Sequence, residues 1–286
     1  MKIGVISRGS PDYLIDIITD GLIRTMGREN LSLDYNVRGG WGGQYAILLQ
    51  GVQGPEPFDI HDAEMLIGSV RSLPEIEVWM KRTGKKKVAL IDGEDGPDIR
   101  TPWETKVPIY FKREYLRGKS YAPSIHSLPF GAIPEALPNV CEITSSVFFH
   151  AHGSSPIRTE ISETITNLGY YLPSKRTEKA EYNKKLASSL VGISARGGGW
   201  DTYRYWEVPY MGTALLSQRL EIVIPDDFEE GMEAEYFSTV SEMKEKLERM
   251  LSQPEKTAMM GHLGRAKCLK HHLSIHRAKT VLEALA

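Results

Sequence analysis

The chain has 286 residues, a formal net charge of −2, 41% apolar residues and 25% charged residues. That length builds two modest domains or one large one, and the composition is that of an ordinary globular protein. The near-neutral charge gives no global pull toward nucleic acid or anionic bilayers, and the two distant cysteines, Cys141 and Cys268, argue against a disulfide framework and for a reducing, cytoplasmic setting.

Residues 2–7 read as a buried strand, followed by a turn in which Ser10 is the expected N-cap and Pro11 the first helical residue. Apolar residues at helical spacing continue to Ile23. This strand–turn–helix opening is that of a doubly wound α/β domain. Strands are expected at 31–37 and 65–68, with a glycine loop at 39–43 between them and a helix at 74–81 after them. The basic run Lys81–Lys87 reads as a solvated helix end. Residues 87–92 form the clearest central strand, ending in the acidic turn 93–98, and a strand at 107–111 ends in Lys112-Arg113-Glu114. The first apolar run is too short for a signal peptide, and no run approaches the roughly 20 residues of a membrane span, so no integral membrane contact is expected.

Proline and glycine between 127 and 138 mark a boundary, giving expected domains of 1–135 and 136–286. The alternation then restarts: strand 146–151, turn 152–156, helix 157–168, helix 182–190, strand 190–194. A triglycine turn, Gly197-Gly198-Gly199, leads into a helix bearing Arg204 and Glu207, which Gly212 closes before a strand at 213–217. A further strand is expected at 220–224, then a helix at 240–251 capped by Ser238 or Ser241, then helix from Pro254 to the end, the last part crossing back onto the first domain.

Several patterns carry chemistry. Arg204 and Glu207 share one helix face, and the bland reading is a weak intrahelical ion pair. With the glycine turn before them they suit a nucleotide-sugar: a helix N-terminus and guanidinium for a diphosphate, a carboxylate for sugar hydroxyls. Arg196 flanks the same turn. His152 and Gly153 follow a strand and precede a helix, a phosphate cradle or a plain capping turn. Asp92, Glu94 and Asp95 end a central strand, where one can act as general base toward an acceptor hydroxyl, or where they form a solvated acidic turn. The turn lacks the glycine and glutamate spacing of a calcium loop. Lys112 and Arg113 also end a strand and are candidate phosphate ligands. Asp12 is read as helix electrostatics before base, and His271, His272 and His276 as helix-end residues before metal ligands.

The block from Arg204 through Ser217 resembles the arginine–glutamate–glycine–strand block of family-1-type transferases in the two-domain GT-B glycosyltransferases. The spore-maturation-protein group is the nearest match, with weaker likeness at Ala89–Asp95 and Tyr110–Glu114. The resemblance implies two Rossmann-like α/β domains facing a cleft and glycosyl transfer from a UDP- or GDP-linked sugar, with no cofactor or metal required. It implies that Glu207 contacts the ribose and Arg158 the diphosphate. Gly199 stands where the clan often has a first glutamate. The acceptor is open: a saccharide, a small molecule or modified nucleic acid. So are a non-catalytic nucleotide-sugar-binding module, and an epimerase or phosphorylase on the same scaffold.

Overall fold

Strand and helix alternate twice along the chain, and each round closes its own parallel sheet. The computed structural model describes residues 1–8, 12–35, 56–134, 141–151, 155–170 and 178–286. They divide into one unit of Met1–Ile133 with Leu273–Ala286 and a second of Pro134–His272.

The first unit is a six-stranded sheet: β1 (Ile3–Ser7), β2 (Leu31–Tyr35), β3 (Met65–Ser69), β4 (Val88–Asp92), β5 (Ile109–Lys112) and β6 (Ile125–Ser127). The order is β2-β1-β3-β4-β5-β6, with every pairing parallel. Every residue of β1, β3 and β4 is buried. Continuous apolar runs of this kind belong to strands covered on both faces. The order reverses between β1 and β3, a switch point at whose carboxyl ends open α/β sheets bind ligands. Helix α1 (Tyr13–Met26) is capped by Asp12, whose carboxylate accepts from the backbone N–H groups of Leu14 at 3.1 Å and Ile15 at 3.4 Å. The expected cap, Ser10, lies with Pro11 and the 39–43 loop outside the described residues. Helices α2 (Leu73–Thr83) and α3 (Trp103–Lys106) follow.

The second unit has four parallel strands, β7 (Ser145–Phe148), β8 (Ser189–Ser194), β9 (Ala214–Gln218) and β10 (Ala234–Phe237), in the order β10-β9-β8-β7. Its helices are α4 (Pro156–Asn167), α5 (Lys179–Ala187), α6 (Tyr203–Tyr210), α7 (Val240–Ser252) and α8 (Pro254–His271). Val191, Ile193, Leu216, Phe237, Met243 and Leu247 lie in one core between sheet and helices.

Three local expectations are corrected. Residues 220–224 are not a strand, because β8 and β10 already flank β9; Leu220, Ile222 and Ile224 are buried from an irregular stretch leading to Asp226. Thr239 caps α7, its hydroxyl accepting from the Glu242 N–H at 3.2 Å, instead of Ser238 or Ser241. The C-terminal helix is broken at His272, whose ring nitrogen lies 2.9 Å from the Asp226 carbonyl, and Leu273 is extended.

The last helix, α9 (Ser274–Leu285), packs on α1 within the first unit. The Ser274 hydroxyl donates to Asp20 at 2.5 Å and its N–H to the Ala132 carbonyl at 2.8 Å. Gly21 permits this approach: a Cβ there would lie 2.1 Å from the Ser274 carbonyl oxygen. Backbone on both sides must shift to admit a methyl. Gly21→Ala is therefore expected to cost about 1–3 kcal/mol, read as a lower urea midpoint. An unchanged midpoint would show that the helices separate freely at this contact.

Candidate functional site

In the second unit the expected donor-binding residues gather at the carboxyl ends of β7 and β8. Arg158 lies in the first turn of α4, 8% exposed, and its Nε and Nη2 donate to the Ala195 carbonyl at 3.3 and 3.0 Å. The glycine turn packs directly on it, since a Cβ at Gly197 would sit 2.9 Å from Arg158 Nη2. The turn is closed by the Gly197 N–H donating to the Gly199 carbonyl at 3.0 Å, with Gly198 exposed between them. Arg196 lies over the Trp200 ring at 4.5 Å. His152 and Gly153 lie outside the described residues.

Arg204 stands in the first turn of α6 and donates from Nη1 to the His150 carbonyl at 2.7 Å. Its Nε is buried with no hydrogen-bond partner among the described residues. Burial, and next the charge of Arg204, pull the Arg158 guanidinium down to about 10. Two guanidinium groups thus oppose one another here, a field that an anion relieves. Neither the Ser155 nor the Thr202 side chain caps its helix, α4 or α6. First-turn amides of such helices suit phosphate.

Glu207 lies one turn beyond Arg204. Its Oε1 accepts from Lys179 Nζ at 2.7 Å and its Oε2 from the Tyr182 hydroxyl at 2.7 Å. Burial alone would raise its pKa, but Lys179, Tyr182 and Arg204 outweigh burial and hold it below the usual carboxylate range. Burial, then the Glu207 charge, push the Tyr182 hydroxyl well up, so it stays a donor. Lys179 and Tyr182 were not singled out in the sequence. They come from a different helix, and the one signal they offer is a shared face at i,i+3.

The expected N-terminal residues also converge, at the carboxyl ends of β1, β3, β4 and β5. Asp92 is 1% exposed, with Lys112 Nζ 3.0 Å from Oδ1, the Glu94 N–H donating to Oδ1 at 3.1 Å, and the Tyr110 hydroxyl donating to Oδ2. Arg113 pairs with Asp95, lies 3.5 Å from Glu114 and stacks on Phe130 at 4.5 Å. Lys112 and Arg113 are therefore engaged by carboxylates inside the unit. Glu94 is held by Arg71 at 3.0 Å and Arg100 at 3.7 Å. Burial would raise its pKa, but the Arg71 hydrogen bond and charge, with lesser help from Arg100 and Lys112, hold it below the usual range. Side-chain exposure separates the three candidate bases: 67% for Asp95 and 32% for Glu94 against 1% for Asp92. Asp12 accepts from the Ser69 hydroxyl and is buried beneath this layer. Ser69, Arg71, Tyr110 and Asp16 were missed because each reads locally as strand end, turn or helix. Of the C-terminal histidines, His271 Nδ1 lies 3.7 Å from Asp226 and His276 Nδ1 accepts from the Leu273 N–H at 3.0 Å. Among the described residues no group of three possible metal ligands forms.

Two Rossmann-like α/β units with parallel sheets, the second presenting opposed arginines and an ionised carboxylate at its strand ends, define the GT-B fold class of glycosyltransferases. Residues 148–283 match the family described as glycosyl transferase-like. The fold is similar to that of HepE from Anabaena in complex with UDP-glucose, with a TM-score of 0.65 and 10% identity over 100% of this chain and 99% of that one. It is similar to sucrose-phosphate synthase from Thermosynechococcus elongatus, with a TM-score of 0.57 and 10% identity over 99% of this chain and 97% of that one. For TarM from S. aureus the TM-score is 0.51, with 11% identity over 77% of this chain and 54% of that one. No curated protein matches the chain in sequence. The chain has the GT-B fold, and its match to the glycosyl transferase-like family falls on the arginine–glutamate helix and the strands around it.

Proposed function

We propose that the protein moves a glycosyl group from a UDP- or GDP-linked sugar to an acceptor hydroxyl, and that residues 136–286 hold the donor while residues 1–135 serve the acceptor. The observation that carries this reading is the buried Nε of Arg204, without a hydrogen-bond partner among the described residues, beside the guanidinium of Arg158. Structures of similar fold that contain UDP or UDP-glucose support it, as does the family match. Within the clan, the block at 204–217 favours the spore-maturation-protein-like group. Among the described residues no helix is long and apolar enough to cross a membrane; the proposed setting is cytoplasmic.

In the proposed reaction the bond between the anomeric carbon and the diphosphate oxygen breaks, and its electron pair leaves on the diphosphate. Arg158, Arg204 and the first-turn amides of α4 and α6 stabilise that charge, a role that makes a metal ion dispensable. The acceptor oxygen bonds to the anomeric carbon and gives up its proton, for which Asp95 and Glu94 are the carboxylates with solvent access. Arg196 and the Gly197–Gly199 turn border the diphosphate, and Glu207 receives ribose hydroxyls.

Arg204→Ala is expected to weaken UDP or GDP binding about 10- to 100-fold, the scale of a lost hydrogen bond to a charged group, with the unliganded melting temperature little changed. Calorimetric titration showing wild-type affinity would contradict the assignment. Gly199, in place of the clan's first glutamate, favours as second reading a module that binds the donor without transferring it. Incubation with a panel of UDP- and GDP-sugars separates the two: nucleotide release supports transfer, and a thermal shift without release supports the module.

A further inference from the structure

Helices α7 and α8 both lie at the surface of the second unit, and their outer faces differ. α7 exposes Ser241, Lys244, Glu245, Glu248, Arg249 and Ser252, all polar, the usual pattern of a surface helix. α8 exposes Met259 by 57%, and Leu263 and Leu269 by 38% each. Loose packing does not account for this. The inner face of α8 carries Gly261 and Gly264. A Cβ at Gly261 would collide with the Gly212 carbonyl oxygen, and one at Gly264 would lie 2.7 Å from that of Glu233. Backbone therefore meets backbone on the inside, and the helix is held in one rotation with these apolar residues outward.

The exposed residues form a stripe. Lys256, Met259, Leu263, Ala266 and Lys270 follow one another at steps of three or four, so they line one side of the helix for about 21 Å. α8 holds four cations, Lys256, Arg265, Lys267 and Lys270, against one carboxylate, Glu255, in a chain of net charge −2. Two cations of α7 are spent within the unit: Lys246 pairs with Glu230 at 3.0 Å and Glu242 at 3.1 Å, and Arg249 with Glu235 at 2.7 Å. Lys256, Lys267 and Lys270 pair with no described residue.

Apolar side chains flanked by unpaired lysines fit a surface that is apolar within and anionic outside. In an anionic bilayer Met259, Leu263 and Leu269 enter the acyl boundary, while the lysine stems lie along it and their ammonium groups reach lipid phosphates. A second copy fits poorly, because a two-fold contact through this stripe brings lysines against lysines. Nucleic acid offers phosphates but nothing for the apolar centre of the stripe. We propose that the outer face of α8 is a peripheral docking surface for a bilayer rich in anionic phospholipid. The proposal goes beyond donor binding and does not depend on it, since no residue of the stripe is placed at the nucleotide.

The test uses the full chain without nucleotide and measures co-sedimentation with vesicles of phosphatidylcholine, alone or with about 30% phosphatidylglycerol. The wild type is expected to partition onto the anionic vesicles at least tenfold more strongly, on the order of what two or three lysines supply, and to lose most of that preference at about 0.5 M salt. Met259→Asp combined with Leu263→Asp is expected to lower anionic partitioning about tenfold or more. Lys256→Gln and Lys270→Gln are each expected to lower it about threefold to fivefold. Lys244→Gln on α7 is expected to leave it unchanged. Circular dichroism confirms folding, and the two lysine variants, which remove only surface charge, decide the matter if the Met259→Asp, Leu263→Asp chain does not fold. Equal partitioning onto neutral and anionic vesicles overturns the proposal, as does wild-type partitioning by both lysine variants. A dimer in sedimentation equilibrium that Leu263→Asp dissociates, with no vesicle binding by the wild type, also overturns it and gives the stripe to a second copy.

Discussion

Lys112→Met is expected to lower the unfolding free energy of the N-terminal unit by about 3–5 kcal/mol, the range for removing one partner of a buried ion pair. The side chains of Lys112 and Asp92 are 0% and 1% exposed, with Nζ 3.0 Å from Oδ1. Burial lowers the Lys112 pKa, and the Asp92 charge is the main force that opposes this. A methionine leaves the Asp92 carboxyl in the interior with hydrogen bonds from Tyr110 and Glu94 but without its ammonium. Asp92→Asn in the same chain removes the orphaned charge while an amide oxygen still accepts from Tyr110. The double variant is therefore expected to recover most of the loss. Urea unfolding of the two single variants and the double variant gives the coupling energy directly. A loss under about 1 kcal/mol for Lys112→Met, the scale of a surface pair, would mean that water reaches the pair.

This result bears on function as well as stability. Lys112 and Arg113 were expected to meet a phosphate, because they end a strand at the ligand edge of the sheet. In the folded chain their charges are spent on Asp92, Asp95 and Glu114. In the second unit Arg158 and Arg204 hydrogen-bond to carbonyl groups, and it is on their charges that the proposed donor site draws. Asp95, paired with Arg113 but 67% exposed, is the carboxylate of the acidic turn that the proposed reaction gives to an incoming hydroxyl.

What the sequence disclosed was local. Buried parallel strands announce themselves as unbroken apolar runs, and Val88–Asp92 and Ser189–Ser194 lie within a residue or two of their expected bounds. The same cue misled at 220–224, where apolar residues are buried by a loop; burial and strand give one composition there, and the pairing partners decide. β10 was missed because Ala234–Phe237 is short and carries a glutamate. The glycine turn and the Arg204–Glu207 helix were readable because their chemistry lies within a dozen residues. Lys179 and Tyr182 were not, since they reach Glu207 across 28 and 25 positions of chain through packing that no local pattern encodes. Asp16 offered one unused signal, a carboxylate set within the apolar run Leu14–Ile18.

That residue supplies the second large effect. Asp16→Asn is expected to stabilise the N-terminal unit at neutral pH. The Asp16 side chain belongs to a residue 3% exposed, and burial, then the charge of Asp12, push its carboxyl from 3.8 up to about 8. The folded protein therefore keeps a proton that the unfolded chain has released. The contribution to stability is fully present below the unfolded value, is lost as pH rises toward about 8, and is constant above it. Near pH 7 the gap of roughly three units corresponds to a penalty on the order of 4 kcal/mol, which an uncharged isostere escapes. Glu94 works in the opposite direction: its lowered pKa gives stability above the unfolded value that disappears as pH falls through the folded one. Mild acidification from about pH 8 to 6 should thus strengthen the wild type, with carboxylates such as Glu94 reversing the trend at lower pH. Urea midpoints at about pH 5, 7 and 9 for wild type and Asp16→Asn test this: the curves should converge toward acid and separate toward base. Parallel curves across that range would mean that Asp16 is ionised in the folded chain, and that the ligand edge of the first sheet carries one more negative charge than the structure assigns it.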